Sequence, residues 1–184
     1  MGRPMEEVLF SRETEVILIP DGFTQLIPEG SRGWITQVLG GNYTVQLETG
    51  RLVRVGYPDA DAIGKEEEAS GPDEADPDAP VDEERIWSAL RGCYDPEIPL
   101  NIVELGLIYG LELSERPDGD HDVSIEMTLT APGCGMGQIL ADDVEMRIRA
   151  IPGVKDVRVD LTFDPPWSPE RMSEEGRLEL GMFY

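Results

Sequence analysis

The chain has 184 residues and a formal net charge of −23, from 38 acidic and 15 basic residues. This excess of acid argues against nucleic acid and against a membrane surface as partners, because both are bound through Lys and Arg. No apolar run approaches the roughly 20 residues of a membrane-spanning helix, and the first residues lack the pattern of a secretory signal. We therefore expect a cytoplasmic protein, in which the two cysteines are thiols rather than a structural disulfide.

Four apolar segments separated by Gly-containing turns predict strands in residues 1–64. Strands this closely spaced indicate an antiparallel meander, closed into a small barrel. The region has no His, no Cys and no Gly-rich phosphate loop, so we expect a small all-β domain for interaction or stabilisation rather than catalysis. The four segments are VILIP (16–20), WITQVL (34–39), YTVQLE (43–48) and RLVRV (51–55).

An acidic segment follows this region. Residues 65–85 contain ten acidic and two basic residues, three prolines and almost no large apolar side chains. Such a composition cannot bury enough apolar surface to fold, and repulsion between its charges favours an extended chain. We predict an acidic linker over residues 65–80 and a second domain over residues 81–184.

The second domain begins with a predicted helix and a pair of strands. VDEERIWSALRG (81–92) has apolar residues at helical spacing, with Asp82 as the N-cap and Gly92 as the stop. LIYGLEL (107–113) and DVSIEMTL (122–129) are separated by a polar turn, which predicts an antiparallel pair.

A second helix and a third strand are predicted over residues 138–150 and 154–161. The order helix, strand, strand, helix, strand indicates a small two-layer domain of the α+β or α/β class, with the last two strands parallel around a crossover helix. The second helix carries its apolar residues at helical spacing, and its charged residues are predicted to face solvent: Asp142, Asp143, Glu145, Arg147 and Arg149.

Cys134 lies in the stretch TAPGCGMGQ (130–138), just before the second predicted helix. Free backbone N–H groups and the positive end of the helix dipole favour an anion there, so the pKa of a thiol is lowered. Gly133 and Gly135 would leave the sulfur unshielded. The pattern indicates a nucleophilic or metal-binding thiolate; the alternative is a tight strand-to-helix turn around a small residue.

Cys93 opens CYDPEIP, where prolines hold Asp95 and Glu97 in an exposed loop. It is either a second functional thiol or a small hydrophobe beside the end of the first helix. Cys93 and Cys134 are 41 positions apart, and two thiolates are too few for a structural zinc site or the usual four-cysteine ligation of an iron–sulfur cluster. A bound metal would need further ligands from a second protomer, a client protein or a small thiol.

Two other residues have competing interpretations. His121, the only histidine, is predicted to be an exposed turn residue, so a Cys–His–Asn enzyme would depend on His121 reaching Cys134. Trp167, in DPPW, is predicted either to bind a partner or to close the core after the third strand.

Three segments of the second domain together resemble the SufT family of bacterial iron–sulfur assembly factors. The domain of this family is shared with PaaD and with the eukaryotic cytosolic iron–sulfur targeting factor. The resemblance spans almost all of residues 81–184 and extends more loosely to ITQVLGGNYTVQLETGRLVRV and DADAIG before the linker. The three segments are CYDPEIPLNIVELGLIYG, MTLTAPGCGMGQILADDV and FDPPWSPERMSEEGRLELGM.

The resemblance implies an accessory factor, not an enzyme, that helps to assemble iron–sulfur clusters or to deliver them to client apoproteins. It places the reactive cysteine at Cys134, which would bind a cluster or iron transiently, alone or with Cys93, between Gly133 and Gly135. Gly135 stands where many relatives of the wider family have Pro. The residues of the loop and partner motifs are Asp95, Glu97, Glu104, Thr130 and Trp167.

The implied partners are client apoproteins and the scaffold or carrier proteins that supply clusters. A homodimer would bring paired thiols together, although no self-complementary patch can be recognised in the sequence. Two alternatives remain open at this point. One is an adaptor that binds clients and carriers without metal, and the other is a thiol-dependent enzyme such as a peroxidase or an acyl carrier.

Overall fold

The computed structural model describes residues 5–65, 78–95, 97–133 and 135–182. The chain divides into two compact units, 1–70 and 71–184. Most of the predicted linker lies outside the described residues, so the domain boundaries at residues 64 and 81 stay predictions. Within the described part, no helix is long and apolar enough to cross a membrane.

The first unit is a six-stranded antiparallel sheet followed by a 3-10 helix, which confirms the all-β prediction. Its strands are β1 Glu6–Leu9, β2 Thr14–Ile19, β3 Thr24–Ile27, β4 Arg32–Leu39, β5 Asn42–Leu47 and β6 Leu52–Val55, and the 3-10 helix is Tyr57–Ile63. Strands β4, β5 and β6 form the predicted meander, but the full order is β1-β4-β5-β6-β2-β3. The hairpin of β2 and β3 therefore joins the sheet through β6, and β1 and β3 are its edge strands.

The core of the first unit follows the two-residue period of its strands. In β5, Tyr43, Val45 and Leu47 are buried, whereas Thr44 and Gln46 between them are only half-buried. Alternation of this kind places every second side chain on the same face of a sheet. The strands β1 and β3 were not predicted, because their sequences, EEVL and TQLI, each contain only two apolar residues.

The second unit has the predicted order of helices and strands, followed by a C-terminal segment that was not predicted. Strands β7 and β8 are antiparallel and β8 and β9 are parallel, so β8 is the central strand. This confirms the two-layer α-β-β-α-β class. The elements are α1 Glu83–Arg91, β7 Ile108–Glu115, β8 His121–Met127, α2 Gly137–Arg149, β9 Val154–Leu161, a 3-10 helix Pro169–Arg171 and α3 Glu174–Glu179.

Both long helices share one hydrophobic core with the sheet. Asp82 caps α1 as predicted, with its carboxylate accepting a hydrogen bond from the Arg85 N–H at 2.9 Å, and Gly92 ends the helix. The inner face of β8 supplies alternate apolar residues to this core. The fully or nearly fully buried residues of this core include Ile86, Leu90, Val123, Ile125, Met127, Leu140, Val144, Ile148 and Val157.

The prediction that the charged residues of α2 face solvent is wrong for Asp143 and Arg147. Asp143 is only 2% exposed and Arg147 only 11%, and their side chains form an ion pair of 3.4 Å. The sequence could not show this, because a charged pair one turn apart can be buried when a neighbouring helix covers it. Here Arg147 lies beside Gly92 at the end of α1, where a Cβ atom would come within 3.0 Å of its guanidinium. Asp142, in contrast, is exposed as predicted.

His121 is also not an exposed turn residue. It is the first residue of β8, and it is half-buried. Its backbone N–H donates to the Gly153 carbonyl at 2.8 Å. The turn ends before His121 because the pairing with β9 begins there, at Val154.

Candidate functional site

The DPEIP loop, residues 95–99, leaves the core after α1 and returns directly to it. The Cys93 carbonyl accepts a hydrogen bond from the Ile102 N–H at 2.9 Å, and Tyr94 and Asn101 form a β-bridge. These contacts close the base of the loop. Its tip includes the exposed carboxylate of Glu97.

Asp95 organises the DPEIP loop from inside. Only 4% of the residue is exposed, and Oδ1 accepts hydrogen bonds from the N–H groups of Glu97 at 2.8 Å and Ile98 at 3.0 Å. An Asp side chain that bonds to N–H groups two and three residues later fixes a turn. Asp95 is therefore a structural acceptor within the loop rather than an exposed acid.

The other carboxylate oxygen of Asp95 connects the DPEIP loop to the cysteine turn, which we define as residues 130–136. Oδ2 accepts a hydrogen bond of 3.4 Å from the Thr130 hydroxyl, at the start of that turn. The two motifs are 35 positions apart in the sequence, and the fold brings them together. The depression between them is lined by Asp95, Glu97, Leu129, Thr130, Met136, Gly137 and Leu140.

Cys134 lies outside the described residues, whereas the residues on both sides of it are described. Gly133 and Gly135 are exposed, and Gly133 has a φ of +79° with open space where a Cβ would lie, since no atom comes within 4 Å. The C-terminal end of the cysteine turn, in contrast, is held against the core, because Met136 and Gly137 are buried. A Cβ at Gly137 would come within 2.3 Å of the Leu129 side chain, so only glycine permits this close packing.

Helix α2 begins at Gly137, within one residue of the predicted start. Its N-cap, Met136, makes no side-chain hydrogen bond, and the first turn contains no acidic residue. The N–H groups of this turn are therefore not satisfied by a side-chain cap, and the positive end of the helix dipole is not neutralised by a carboxylate of its own first turn. This is the electrostatic setting that the sequence predicted next to Cys134.

Cys93 lies in the hydrophobic core and is completely buried. Its Sγ donates to the Ala89 carbonyl in α1 at 3.8 Å. This position fits the alternative interpretation, a small apolar residue beside the end of α1. In residues 5–65, 78–95, 97–133 and 135–182, no three His, Cys, Asp or Glu side chains are grouped closely enough to hold a metal ion.

Glu104, another predicted motif residue, contacts the C-terminal segment. Its carboxylate accepts a short hydrogen bond from the Ser173 hydroxyl, and its carbonyl accepts one from the Ser173 N–H at 2.9 Å. Ser173 is the N-cap of α3, where its hydroxyl accepts from the Gly176 N–H at 2.9 Å. The sequence analysis missed this cap, although Ser followed by two acidic residues is a helix-start signal.

Trp167 also connects the C-terminal segment to the turn before β7. The indole is half-buried against the core, and its Nε1–H donates to the Leu105 carbonyl at 2.7 Å. These contacts support the interpretation of Trp167 as a residue that closes the core.

We expect Trp167→Phe to lower the free energy of unfolding of the second unit by about 1 kcal/mol, because the hydrogen bond to Leu105 is lost while most aromatic packing remains. Urea unfolding measures this difference. Trp87→Phe is the matched control, since Trp87 also packs against the core but makes no side-chain hydrogen bond in the described part of the chain. Equal losses in the two variants would show that the bond to Leu105 does not stabilise the fold.

Comparison with known proteins identifies the family of the second unit. Residues 83–161 match the family described as "Iron-sulfur cluster assembly protein". A protein of Porphyromonas gingivalis named "Fe-S protein maturation auxiliary factor" is 48% identical over 99 residues, which is 54% of this chain and 90% of that protein. The chain belongs to the iron–sulfur cluster assembly protein family.

Two further members of the family are similar to this chain. "Fe-S protein maturation auxiliary factor YitW" of Bacillus subtilis is 37% identical over 54% of this chain and 93% of its own length. "Fe-S protein maturation auxiliary factor SufT" of Staphylococcus aureus is 35% identical over 48% of this chain and 96% of its own length. These relatives are therefore about half as long as this chain. The looser resemblance of the first 64 residues to SufT stays a prediction.

Proposed function

We propose that this protein is an accessory factor in the maturation of iron–sulfur proteins, and that Cys134 binds the cluster or iron transiently as it passes to a client. The names of the three relatives support the maturation role, and they describe auxiliary factors rather than enzymes. The cluster is the cargo of this process. The clients and the proteins that supply the cluster are the proposed partners.

The observation that carries this proposal is the way the cysteine turn is held. Its first residue, Thr130, is bonded to Asp95, and its last residue, Met136, is buried at the start of α2. Between these anchors, Gly133 and Gly135 are exposed. Another protein can therefore contact Gly133 and Gly135 without disturbing the core, and we propose that it binds through the thiol of Cys134 between them.

Incomplete ligation suits a protein that must release its cargo. Iron–sulfur clusters are usually held by four cysteine thiolates, so Cys134 would supply one ligand and the donor or the client would supply the others. Exchange of ligands between the two proteins could then move the cluster. Cys93 is not needed in this scheme, because its sulfur is enclosed by the core.

The test is complementation of cells depleted of this protein with the Cys134→Ser variant. We expect the activity of iron–sulfur enzymes, per amount of their polypeptide and under iron limitation, to fall to the level of cells without the protein. Ser keeps the size of the side chain and removes the thiolate. Cys93→Ala is the matched control, and we expect it to support maturation wherever it remains folded.

Full maturation with Cys134→Ser would overturn the role of the thiolate. If that variant also still bound its clients, and the wild-type protein showed no cluster absorption after anaerobic incubation with iron and sulfide, the protein would be an adaptor instead. Turnover of a small thiol-reactive substrate by the purified wild-type protein would favour the enzyme alternative.

A further inference from the structure

The second unit contains another cleft, which shares no lining residue with the depression beside the cysteine turn. Its volume is about 530 Å³, and it is open to solvent. It is formed by the start of β7, the end of β8, the turn after β9 and the C-terminal 3-10 helix. The lining residues are Gly106, Ile108, Tyr109, Glu126, Asp164, Pro165 and Arg171.

One wall of the cleft is a cation stacked on an aromatic ring. The guanidinium carbon of Arg171 lies 4.6 Å from the centre of the Tyr109 ring, and the Tyr109 hydroxyl donates to the Pro165 carbonyl at 2.8 Å. Stacking holds the plane of the guanidinium in one orientation. The hydrogen bond to Pro165 in turn holds the ring.

The fold also fixes the backbone that carries Arg171. The Arg171 carbonyl approaches Gly106 so closely that a Cβ at position 106 would lie 2.1 Å from it, and the Arg171 N–H bonds to the Ser168 carbonyl at 3.0 Å. The position of the guanidinium is therefore set by contacts that do not use its own N–H donors.

In the part of the chain that the structure describes, those donors face no paired carboxylate. Among the described residues, the Arg171 guanidinium forms no ion pair or hydrogen bond, even though the chain has 38 acidic residues. The carboxylates of Glu126 and Asp164, which also line the cleft, likewise have no cationic partner there. The cleft thus presents a planar donor for a carboxylate together with two acceptors for a cation.

We propose that this cleft binds an extended peptide segment of a partner protein, which presents an acidic side chain to Arg171 and a basic side chain to Glu126 or Asp164. The positive charge of Arg171 is complementary to the acidic side chain, and the negative charges of Glu126 and Asp164 are complementary to the basic one. A free amino acid fits less well, because small ligands are bound by enclosing most of their surface and these walls are open, with Glu126, Asp164 and Arg171 all exposed. A segment of a larger protein has neighbouring residues that add contacts. The proposal does not depend on Cys134.

The test uses the full chain and the capped peptide acetyl-Ala-Glu-Gly-Lys-Ala-amide, followed by amide chemical-shift changes. We expect saturable shifts at the residues that line the cleft. Arg171→Gln should weaken binding by about two- to fivefold, which is what an exposed ion pair of good geometry contributes. Arg177→Gln is the matched control, because Arg177 is an exposed arginine of α3 that does not line the cleft, and it should leave the affinity unchanged.

Three further variants, one of the peptide and two of the protein, keep the test decisive if Arg171→Gln perturbs the fold. The peptide in which Gln replaces Glu needs no change in the protein, and it should bind about two- to fivefold more weakly. Tyr109→Phe keeps the stacked ring and should retain binding, whereas Tyr109→Leu should weaken it. Equal binding of the Glu and Gln peptides, or of wild type and Arg171→Gln, would overturn the proposal. Equivalent shifts with sodium acetate at the same concentration would also overturn it, because they would show a site for any carboxylate rather than for a peptide segment.

Discussion

Alanine at position 106 is expected to lower the free energy of unfolding of the second unit by about 3 kcal/mol. Gly106 has a φ of +71°, and a Cβ there would lie 2.1 Å from the Arg171 carbonyl oxygen and 2.7 Å from its carbon. The left-handed backbone costs other L residues about 1–2 kcal/mol, and forcing apart a packed contact adds about 1–3 kcal/mol. Urea unfolding, followed by amide signals of the second unit, measures the loss.

Gly119→Ala separates the two contributions. Gly119, in the turn between β7 and β8, has a φ of +88°, but nothing lies within 4 Å of its Cβ position. Gly119→Ala therefore forces an L residue into a left-handed backbone without a steric clash. We expect it to lower the free energy of unfolding by about 1 kcal/mol. A loss as large as that of Gly106→Ala would show that the contact with Arg171 does not matter. Loss of peptide binding in Gly106→Ala with its fold intact would connect this turn to the cleft.

Asp95→Ala is expected to lower the free energy of unfolding of the same unit by about 3 kcal/mol and to reduce maturation. It leaves the N–H groups of Glu97 and Ile98 without their acceptor and removes the bond to Thr130. The cost of an unpaired buried group is about 1–3 kcal/mol. The DPEIP loop would then lose both its internal turn and its connection to the cysteine turn.

Asp95→Asn distinguishes a structural acceptor from a needed negative charge. The amide oxygen can replace Oδ1 and keep the bonds to Glu97 and Ile98, so we expect less than about 1 kcal/mol of lost stability and nearly normal maturation. Asn behaving like Ala would contradict the structural role. Thr130→Val removes only the hydrogen bond between Thr130 and Asp95. This bond of 3.4 Å is long, so we expect little loss of stability. Reduced maturation in a stably folded variant would show that the bond positions the cysteine turn.

The proposed functional residues all lie in the second unit, so the contribution of the first unit needs a separate experiment. The second unit contains the residues that match the family, the cysteine turn and the Arg171 cleft. The first unit is about as long as the difference between this chain and its shorter relatives, and the interaction or stabilising role expected for it stays a prediction. Deleting residues 1–64 and repeating the complementation assay would show whether maturation needs this unit.

Where local patterns dominate, the sequence predicted the structure closely. Strand β9 was predicted at its observed bounds, 154–161, because the turn residues Pro-Gly directly precede it and Asp-Pro-Pro follow shortly after it. The start of α2 was predicted to within one residue, since a Gly-rich turn gives way there to a clear helical period. The N-cap at Asp82 follows from its own side-chain chemistry. The same local signals predict an open turn around Cys134, which itself lies outside the described residues.

What the sequence could not determine were contacts between segments far apart in the chain. The bond from Asp95 to Thr130, the stacking of Arg171 on Tyr109 and the burial of Asp143 depend on which surfaces the fold brings together. Each joins or covers polar groups whose local sequence equally permits exposure to water. The sequence by itself therefore determined the class of the second unit, the order of its elements and the candidate thiol. Only the tertiary structure enclosed Cys93 in the core, joined the DPEIP loop to the cysteine turn and created the Arg171 cleft, because these follow from packing between distant segments rather than from local propensity.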